Sequence, residues 1–282
     1  QKMKYPNFVL TVLAWVQALG FLMAVPSMAA ETVIQVGGTG SATPLIEALG
    51  KAYKRKALDV QIRVMHPPMG SSAAQRAVMA GAIDLAFSSK PLGTAEREKR
   101  GQDWELGSTP FLLVTREPGR MVNVDPARLD EIYAGRVATW TDGAPIRLVL
   151  RAPQESDTLL LRNLSESMDK AVELAMTRTG LPVAANDLEN VALLEKTPGA
   201  LGSSNLALLI GLESSLHPVS LNGVAPTLAN LEKGLYPHAK PIYAIRGPAI
   251  SSSATRFLEF MLSAEGRKVI AKQGYLPAKS GR

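Results

Sequence analysis

The feature that most constrains this chain is a repeated order of strand, polar loop and helix over residues 33–91. Strand patterns at residues 33–36, 60–64 and 84–87 alternate with helical patterns that begin near Pro44 and at Ala73. This βαβαβ order predicts a parallel sheet with right-handed crossovers. A chain of 282 residues is long enough to divide such a core between two lobes or domains.

A loop rich in Gly, Ser and Thr follows each of the three strands. The carboxyl ends of parallel strands share one edge of a sheet, where ligands of such folds bind. Free amides at a helix N-terminus favour an anion there. The alternative, in which these residues only cap helices and form turns, stays open for each loop taken alone. The candidate binding residues are Thr39, Gly40, Ser41, Ala42, Ser71, Ser72 and Ser89.

Arg151 is the one well-placed cation of the second half. It ends a strand pattern at residues 146–150 and precedes a helix predicted to begin near Leu159. The candidate binding residues at this helix start are Ser156, Asp157 and Thr158. A guanidinium beside such a helix start suits a planar or tetrahedral oxyanion. The alternative is that Arg151 pairs with Glu155 or Asp157, while Ser156 only caps the helix.

The composition excludes several classes of protein. With 46% hydrophobic and 20% charged residues the chain is globular. It contains no cysteine, which excludes disulfides, thiolate metal sites and a cysteine nucleophile. The three histidines stand too far apart for a zinc-hydrolase motif. The formal net charge of +6 comes from scattered residues, so we predict no nucleic-acid partner, and we predict no cofactor.

Residues 1–30 have the pattern of a secretory signal peptide. Two lysines precede an apolar run at residues 8–25, and small residues precede Glu31. We expect cleavage after Ala29 or Ala30 and a periplasmic mature protein. An uncleaved membrane anchor is the alternative, because the apolar run approaches the ~20 residues that span a bilayer.

The remaining segments have patterns typical of structural elements that take no part in a binding site. Residues 199–204 suggest a further strand-to-helix turn, and residues 255–272 suggest one closing helix with an apolar face.

Taken together, these motifs resemble the periplasmic phosphate-binding proteins of ABC importers. The resemblance is carried by GTGS at residues 38–41, GSS at 70–72, DLAFSSKPL at 84–92 and RAPQESDT at 151–158. Weaker matches lie at residues 222–227, 236–243, 263–266 and 274–277.

The resemblance implies an α/β, two-lobed periplasmic-binding-protein fold of type II. Each lobe would be a mainly parallel sheet flanked by helices, and two hinge strands would join the lobes. Residues 31–111 and 240–282 would form lobe 1, and residues 112–239 would form lobe 2. Inorganic phosphate or a similar oxyanion would bind between the lobes, and a membrane permease of an ABC importer would receive it from a monomer.

The chain departs from the family pattern at two places. The third loop usually has an aspartate that accepts the proton of phosphate, whereas this chain has Ser89 followed by Lys90. The loop after Arg151 has one residue more than the family's, with Asp157 in place of a glycine. Asp157 could face the ligand and replace the missing acceptor, or hold Arg151 from behind.

Two other functions stay open. A sensor subunit that reports an oxyanion to a membrane signalling protein would use the same fold. A secreted serine hydrolase is disfavoured, because no G-x-S-x-G motif and no suitably placed histidine accompany the serines.

Overall fold

The computed structural model describes residues 32–119 and 122–279. The predicted signal peptide lies outside these ranges. In the part of the chain that is described, no helix is both long and apolar enough to cross a bilayer.

The strands and helices of these ranges are numbered in chain order. Strands β1 to β12 are Thr32–Gly38, Val60–Val64, Leu85–Ser88, Gln102–Thr115, Asn123–Val124, Arg147–Leu148, Leu150–Arg151, Val183–Ala184, Ala200–Asn205, His217–Leu221, Ala239–Arg246 and Leu276–Pro277. Helices α1 to α11 are Thr43–Lys54, Gly70–Met79, Thr94–Glu98, Pro126–Tyr133, Ser156–Arg162, Glu166–Thr177, Asp187–Lys196, Leu206–Gly211, Leu228–Glu232, Ser252–Leu262 and Ala264–Lys272. A short 3-10 helix, Gly40–Ala42, precedes α1.

The predicted βαβαβ unit is present at the N-terminal end of the sheet. Strand β1 pairs in parallel with β2 and with β3, which gives the order β2-β1-β3. The pattern of residues 60–64 alternates because one face of β2 is buried, whereas all four residues of β3 are buried. The fold is therefore mixed α/β, and its parallel strands end at one edge as predicted.

Strands β4 and β11 connect the two halves of the structure. The first part of β4 pairs with β11, and its last part pairs with β9 and β10. Every antiparallel pair among the described strands involves β4 or β11. Where the two strands separate, the Phe111 amide donates to the His238 carbonyl at 2.9 Å, and the Tyr236 hydroxyl donates to the Phe111 carbonyl at 2.7 Å.

Buried apolar side chains form separate clusters on the two sides of the point where β4 and β11 separate. One pair of clusters gathers around β1, β3, α1, α2 and α10, and includes Phe87 and Phe257. Another pair gathers around α4, α6, α7 and β9, and includes Tyr133 and Leu194. The buried apolar side chains are therefore divided among several clusters rather than gathered in one.

Several predicted boundaries differ from the structure. Helix α5 begins at Ser156 and not near Leu159, with Glu155 as the extended residue before it. Residues 200–205 are the fully buried strand β9, paired with β4, rather than a turn. The closing helix is divided into α10 and α11 at Ser263, whose backbone is extended and whose hydroxyl accepts from the Gly266 amide at 3.2 Å. Local capping thus overrides a continuous apolar period there.

Candidate functional site

The second and third polar loops meet at the carboxyl edge of the sheet. Helix α2 begins at Gly70, whose positive φ of 75° is a conformation that favours glycine. The Ser89 amide donates to Ser71 Oγ at 2.9 Å, and Lys90 Nζ donates to Ser72 Oγ at 2.9 Å. Ser71, Ser72 and Ser89 therefore form one polar wall at the N-terminus of α2.

The start of α5 faces this wall across a cleft of about 160 Å³. Polar residues of both sides and a few apolar residues line it. The lining residues are Ser71, Ser72, Ser89, Lys90, Gln154, Glu155, Ser156, Leu159, Leu160, Asn163 and Pro241.

The serines of the polar wall have hydroxyl hydrogens that no described residue accepts. Ser71 Oγ and Ser72 Oγ act as acceptors in their bonds, so their own hydrogens remain available. Ser89 is 7% exposed, and its Oγ is buried with no hydrogen-bond partner among the described residues. A buried hydroxyl without a partner is costly, and an acceptor bound in the cleft would satisfy it.

Arg151, Asp157, Asp187 and Lys240 form a second, deeper group, which we term the buried ion cluster. Arg151 Nη1 lies 3.3 Å from Asp187 Oδ1, and Lys240 Nζ lies 3.2 Å from the same oxygen. Lys240 Nζ also pairs with Asp157 Oδ1. All four residues are at most 3% exposed. Two cations and two carboxylates thus neutralise each other out of contact with water, as buried charges require.

Mutual pairing shifts the pKa values of this cluster. Burial alone would raise the pKa of Asp187, but Lys240, Arg151 and the Thr39 hydroxyl outweigh burial and hold that pKa well below its usual range. Burial acts to lower the pKa of Lys240, but Asp157 and Asp187 outweigh it and raise that pKa. Both shifts favour the charged forms of Asp187 and Lys240.

The side chain of Asp187 packs against the first polar loop, residues 39–42. Its Oδ2 accepts from Thr39 Oγ1 at 2.9 Å, and Thr39 Oγ1 lies 3.2 Å from Ser41 Oγ. A Cβ added to Gly40 would lie 3.1 Å from the Cβ, the amide nitrogen and Oδ2 of Asp187. A carboxylate of the protein itself thus lies against the loop where the sequence predicts a bound anion.

Glu155 connects the cluster to the cleft. Its Oε2 accepts from Arg151 Nη2 at 3.1 Å while its side chain lines the cleft. Burial raises the pKa of Glu155, although Arg151 opposes this shift. The pairing of Arg151 with Glu155, one of the two alternatives for this arginine, is therefore present. The carboxylates that pair with Arg151 are those of Glu155 and Asp187 rather than Asp157. Ser156 does not cap α5, because it is the first helical residue.

The structure separates the predicted site residues into two groups. Ser71, Ser72, Ser89 and Ser156 line the cleft. Asp157 contacts Lys240 rather than either place predicted for it, and Thr158 Oγ1 donates to the Arg151 carbonyl at 3.0 Å. The residues buried in or beside the ion cluster are Thr39, Gly40, Ser41, Ala42, Arg151, Asp157 and Thr158.

Sequence reasoning missed Asp187 and Lys240. Lys240 alternates with Ile242 and Ala244 on the buried face of β11, so a lysine at an inward position of a strand was a readable signal. The sequence signal at Asp187 is weaker, because an acidic residue in the first turn of a helix is common and favourable. Among the described residues no group of His, Asp and Glu side chains could hold a metal ion.

Comparison with known proteins places this arrangement in a family. A family model described as a PBP superfamily domain matches residues 25–265. The chain belongs to the PBP superfamily. The predicted resemblance to periplasmic binding proteins of type II is thereby confirmed, as is the α/β fold class.

PBP superfamily relatives include proteins named for phosphate. The phosphate-binding protein PstS of Borreliella burgdorferi is 21% identical over 261 residues, which are 89% of this chain and 91% of PstS. The phosphate-binding protein PstS of Staphylococcus aureus is 23% identical over 86% of this chain and 77% of its own length.

Solved structures of the superfamily show the same fold. A Clostridium perfringens protein, described as a phosphate ABC transporter substrate-binding protein and solved with bound phosphate, has a TM-score of 0.74. It is 22% identical, and the match covers 88% of this chain and all of that one. An ABC-type phosphate transport receptor from Vibrio cholerae has a TM-score of 0.62 at 18% identity, over 87% of this chain and all of the receptor.

Proposed function

We propose that this protein is a periplasmic receptor that captures a phosphate-like oxyanion in the cleft and delivers it to an ABC importer. The observation that carries the proposal is the polar wall. There, the unused hydroxyl hydrogens of Ser71, Ser72 and Ser89 lie at the N-terminus of α2. Preorganised donors and a helix N-terminus replace the water around an anion without needing a catalytic base.

The charged and polar side chains around the cleft also support the binding of an anion. Lys90 lies on the polar wall, and Arg151 donates a hydrogen bond to Glu155, which lines the cleft. Ser156 faces the wall from α5. The names of the relatives add support, since both PstS proteins are described as phosphate-binding. We therefore propose a binding protein rather than an enzyme.

We further propose that the protein acts as a monomer with two lobes. Lobe 1 would comprise residues 31–111 and 240–282, and lobe 2 residues 112–239. The separate apolar clusters support this division, with Phe111 and Ala207 as the residues that pack across it. Two lobes joined by β4 and β11 could close on a ligand in the cleft.

A panel of anions tests the proposal by thermal unfolding of the purified protein. Phosphate at about 100 times its Kd would add about 2.7 kcal/mol of stability, which corresponds to a rise in Tm of roughly 5–10 °C for a chain of this size. Potassium chloride at the same ionic strength is the control. No rise with phosphate, arsenate or sulfate would overturn the proposed function.

A further inference from the structure

The cleft has two walls of different chemistry. One is the polar wall of Ser71, Ser72 and Ser89. On the facing side, Leu159 and Leu160 on α5 and Pro241 on β11 form an apolar patch, which we term the apolar wall. Polar residues of the same side line the cleft beside it, namely Gln154, Glu155, Ser156 and Asn163. The three side chains of the apolar wall offer no hydrogen-bonding atoms to a ligand.

The apolar wall does not suit an anion with oxygen on every side. Inorganic phosphate presents four oxygens in a tetrahedron, and any oxygen turned toward an apolar surface loses water without gaining a partner. A cleft of about 160 Å³ also leaves space beyond such an ion. Leu159 is 44% exposed, so an apolar side chain is left in contact with water at the mouth of the cleft.

The charge distribution leaves one cation free on the polar wall. Arg151 pairs with Glu155 at 3.1 Å and with Asp187 at 3.3 Å, so its charge is already matched. Lys90 donates to Ser72 Oγ and forms no ion pair with a carboxylate in the part of the chain that the structure describes. One ammonium and three hydroxyls can therefore hold one charged end of a ligand.

We infer that the ligand is an organic phosphoryl anion, R–PO₃²⁻, namely a phosphonate or a phosphate monoester. This inference rests on the proposed function and names its ligand class. The three equivalent oxygens accept from the serines and from Lys90. The organic group R replaces the remaining hydroxyl of phosphate and packs against Leu159, Leu160 and Pro241. The dianion R–PO₃²⁻ has no O–H group, so its binding does not require a carboxylate that accepts a ligand proton, and the Glu155 carboxylate in the cleft stays paired with Arg151.

Calorimetry with a graded series of ligands tests this inference on the native protein. We would titrate inorganic phosphate, methylphosphonate, n-propylphosphonate and n-propyl phosphate at about pH 8, where the phosphate ester is a dianion. Each methylene buried against the apolar wall strengthens binding by about fourfold. We therefore expect n-propylphosphonate or n-propyl phosphate to bind at least about tenfold more tightly than phosphate.

The outcomes separate the two proposals. Tighter binding of either propyl compound supports the inference. Phosphate binding more tightly than every substituted compound would overturn it while leaving the proposed oxyanion receptor intact. Binding of none of these compounds would overturn both.

A pair of leucine variants locates the effect. Leu159→Gln replaces an exposed leucine of α5 with a polar residue that also favours helix. We expect the ratio of propyl-compound affinity to phosphate affinity to fall several-fold. Leu174→Gln is the matched control, because Leu174 is 50% exposed on the neighbouring helix α6 and does not line the cleft. An unchanged ratio in Leu159→Gln, or an equal fall in both variants, would overturn the inference.

Discussion

Two loops with almost the same composition have opposite environments in this molecule. Residues 39–42 and residues 70–72 are both rich in Gly, Ser or Thr, and both adjoin the start of a helix. The first loop is buried against the carboxylate of Asp187. The second faces an open cleft with unused hydroxyl hydrogens.

Composition therefore identifies loops that are able to bind an anion. The residues packed against each loop determine whether that anion is a side chain of the protein or an external ligand. At the first loop the protein supplies its own carboxylate, which Lys240 and Arg151 neutralise from the other side. At the second loop the opposing residues belong to the start of α5, where the Glu155 carboxylate and the apolar side chains of Leu159 and Leu160 line an open cleft.

Removal of the lysine from the buried ion cluster should have the largest effect. Lys240→Met leaves buried Asp157 without its lysine partner and leaves Asp187 paired with Arg151 alone. Breaking a buried pair on one side costs about 3–5 kcal/mol. Urea unfolding should show this loss, whereas Lys268→Met, at an exposed lysine of α11, should change stability by less than about 0.5 kcal/mol. Equal stability of the two variants would mean that the cluster does not hold the first loop closed.

Asp187→Asn removes the internal anion and keeps the shape of the side chain. We expect a loss of about 2–3 kcal/mol, since Lys240 and Thr39 lose their hydrogen bonds to a charged acceptor and Arg151 loses an ion pair. The freed cations should then attract an external anion to the first loop. Phosphate should raise the Tm of this variant more than that of the native protein. An equal rise in both proteins would show that Asp187 does not occupy an anion site.

The pH dependence of the same variant measures the charge of Asp187. A carboxyl whose pKa is lowered on folding stabilises the protein fully above its unfolded pKa, about 3.9, and this contribution is lost as pH falls through the folded pKa. Lys240, whose pKa is raised, loses its contribution only as pH rises above about 10.4. The difference in unfolding free energy between native protein and Asp187→Asn should be constant from about pH 5 to 9 and shrink below about pH 4. A difference that grew on acidification would contradict the charged pairing.

Glu155→Gln should have the smallest effect, and it acts on the open cleft. Glu155 is a carboxylate that lines the cleft and pairs with Arg151. The variant removes this negative charge, so oxyanion binding should tighten by up to about tenfold. Calorimetry with phosphate measures it, with Glu259→Gln at an exposed position of α10 as the control. Weaker binding in Glu155→Gln would indicate that the carboxylate positions a donor.

Much of the fold follows from local signals in the sequence. The alternation of residues 60–64, the proline at the start of α1, and Asp125 as the cap of α4 all predict elements that the structure contains. The Asp125 carboxylate accepts from the Ala127 amide at 2.8 Å. Such signals act within one or two turns of chain, so they can be read without the rest of the molecule.

The residues that form the site are harder to predict from the sequence, because the site depends on contacts between residues that are far apart in the chain. Asp187 meets Thr39 across 148 positions of sequence, and Lys240 meets Asp157 across 83. No periodicity links such residues. The serines of the polar wall were predictable because topology brings parallel strand ends together. The closure of the first loop depends on a helix start whose position only the folded structure gives.

Titration of phosphate into two serine variants tests whether the second polar loop, and not the first, binds the anion. Ser71→Ala removes a hydroxyl of the open cleft, and Ser41→Ala removes one from the closed loop. We expect Ser71→Ala to weaken binding about tenfold or more, since a hydrogen bond to a charged ligand is lost. Ser41→Ala should bind phosphate within about twofold of the native protein. Equal weakening in both variants would contradict this expectation, because the first loop would then contact the ligand as the family resemblance implies.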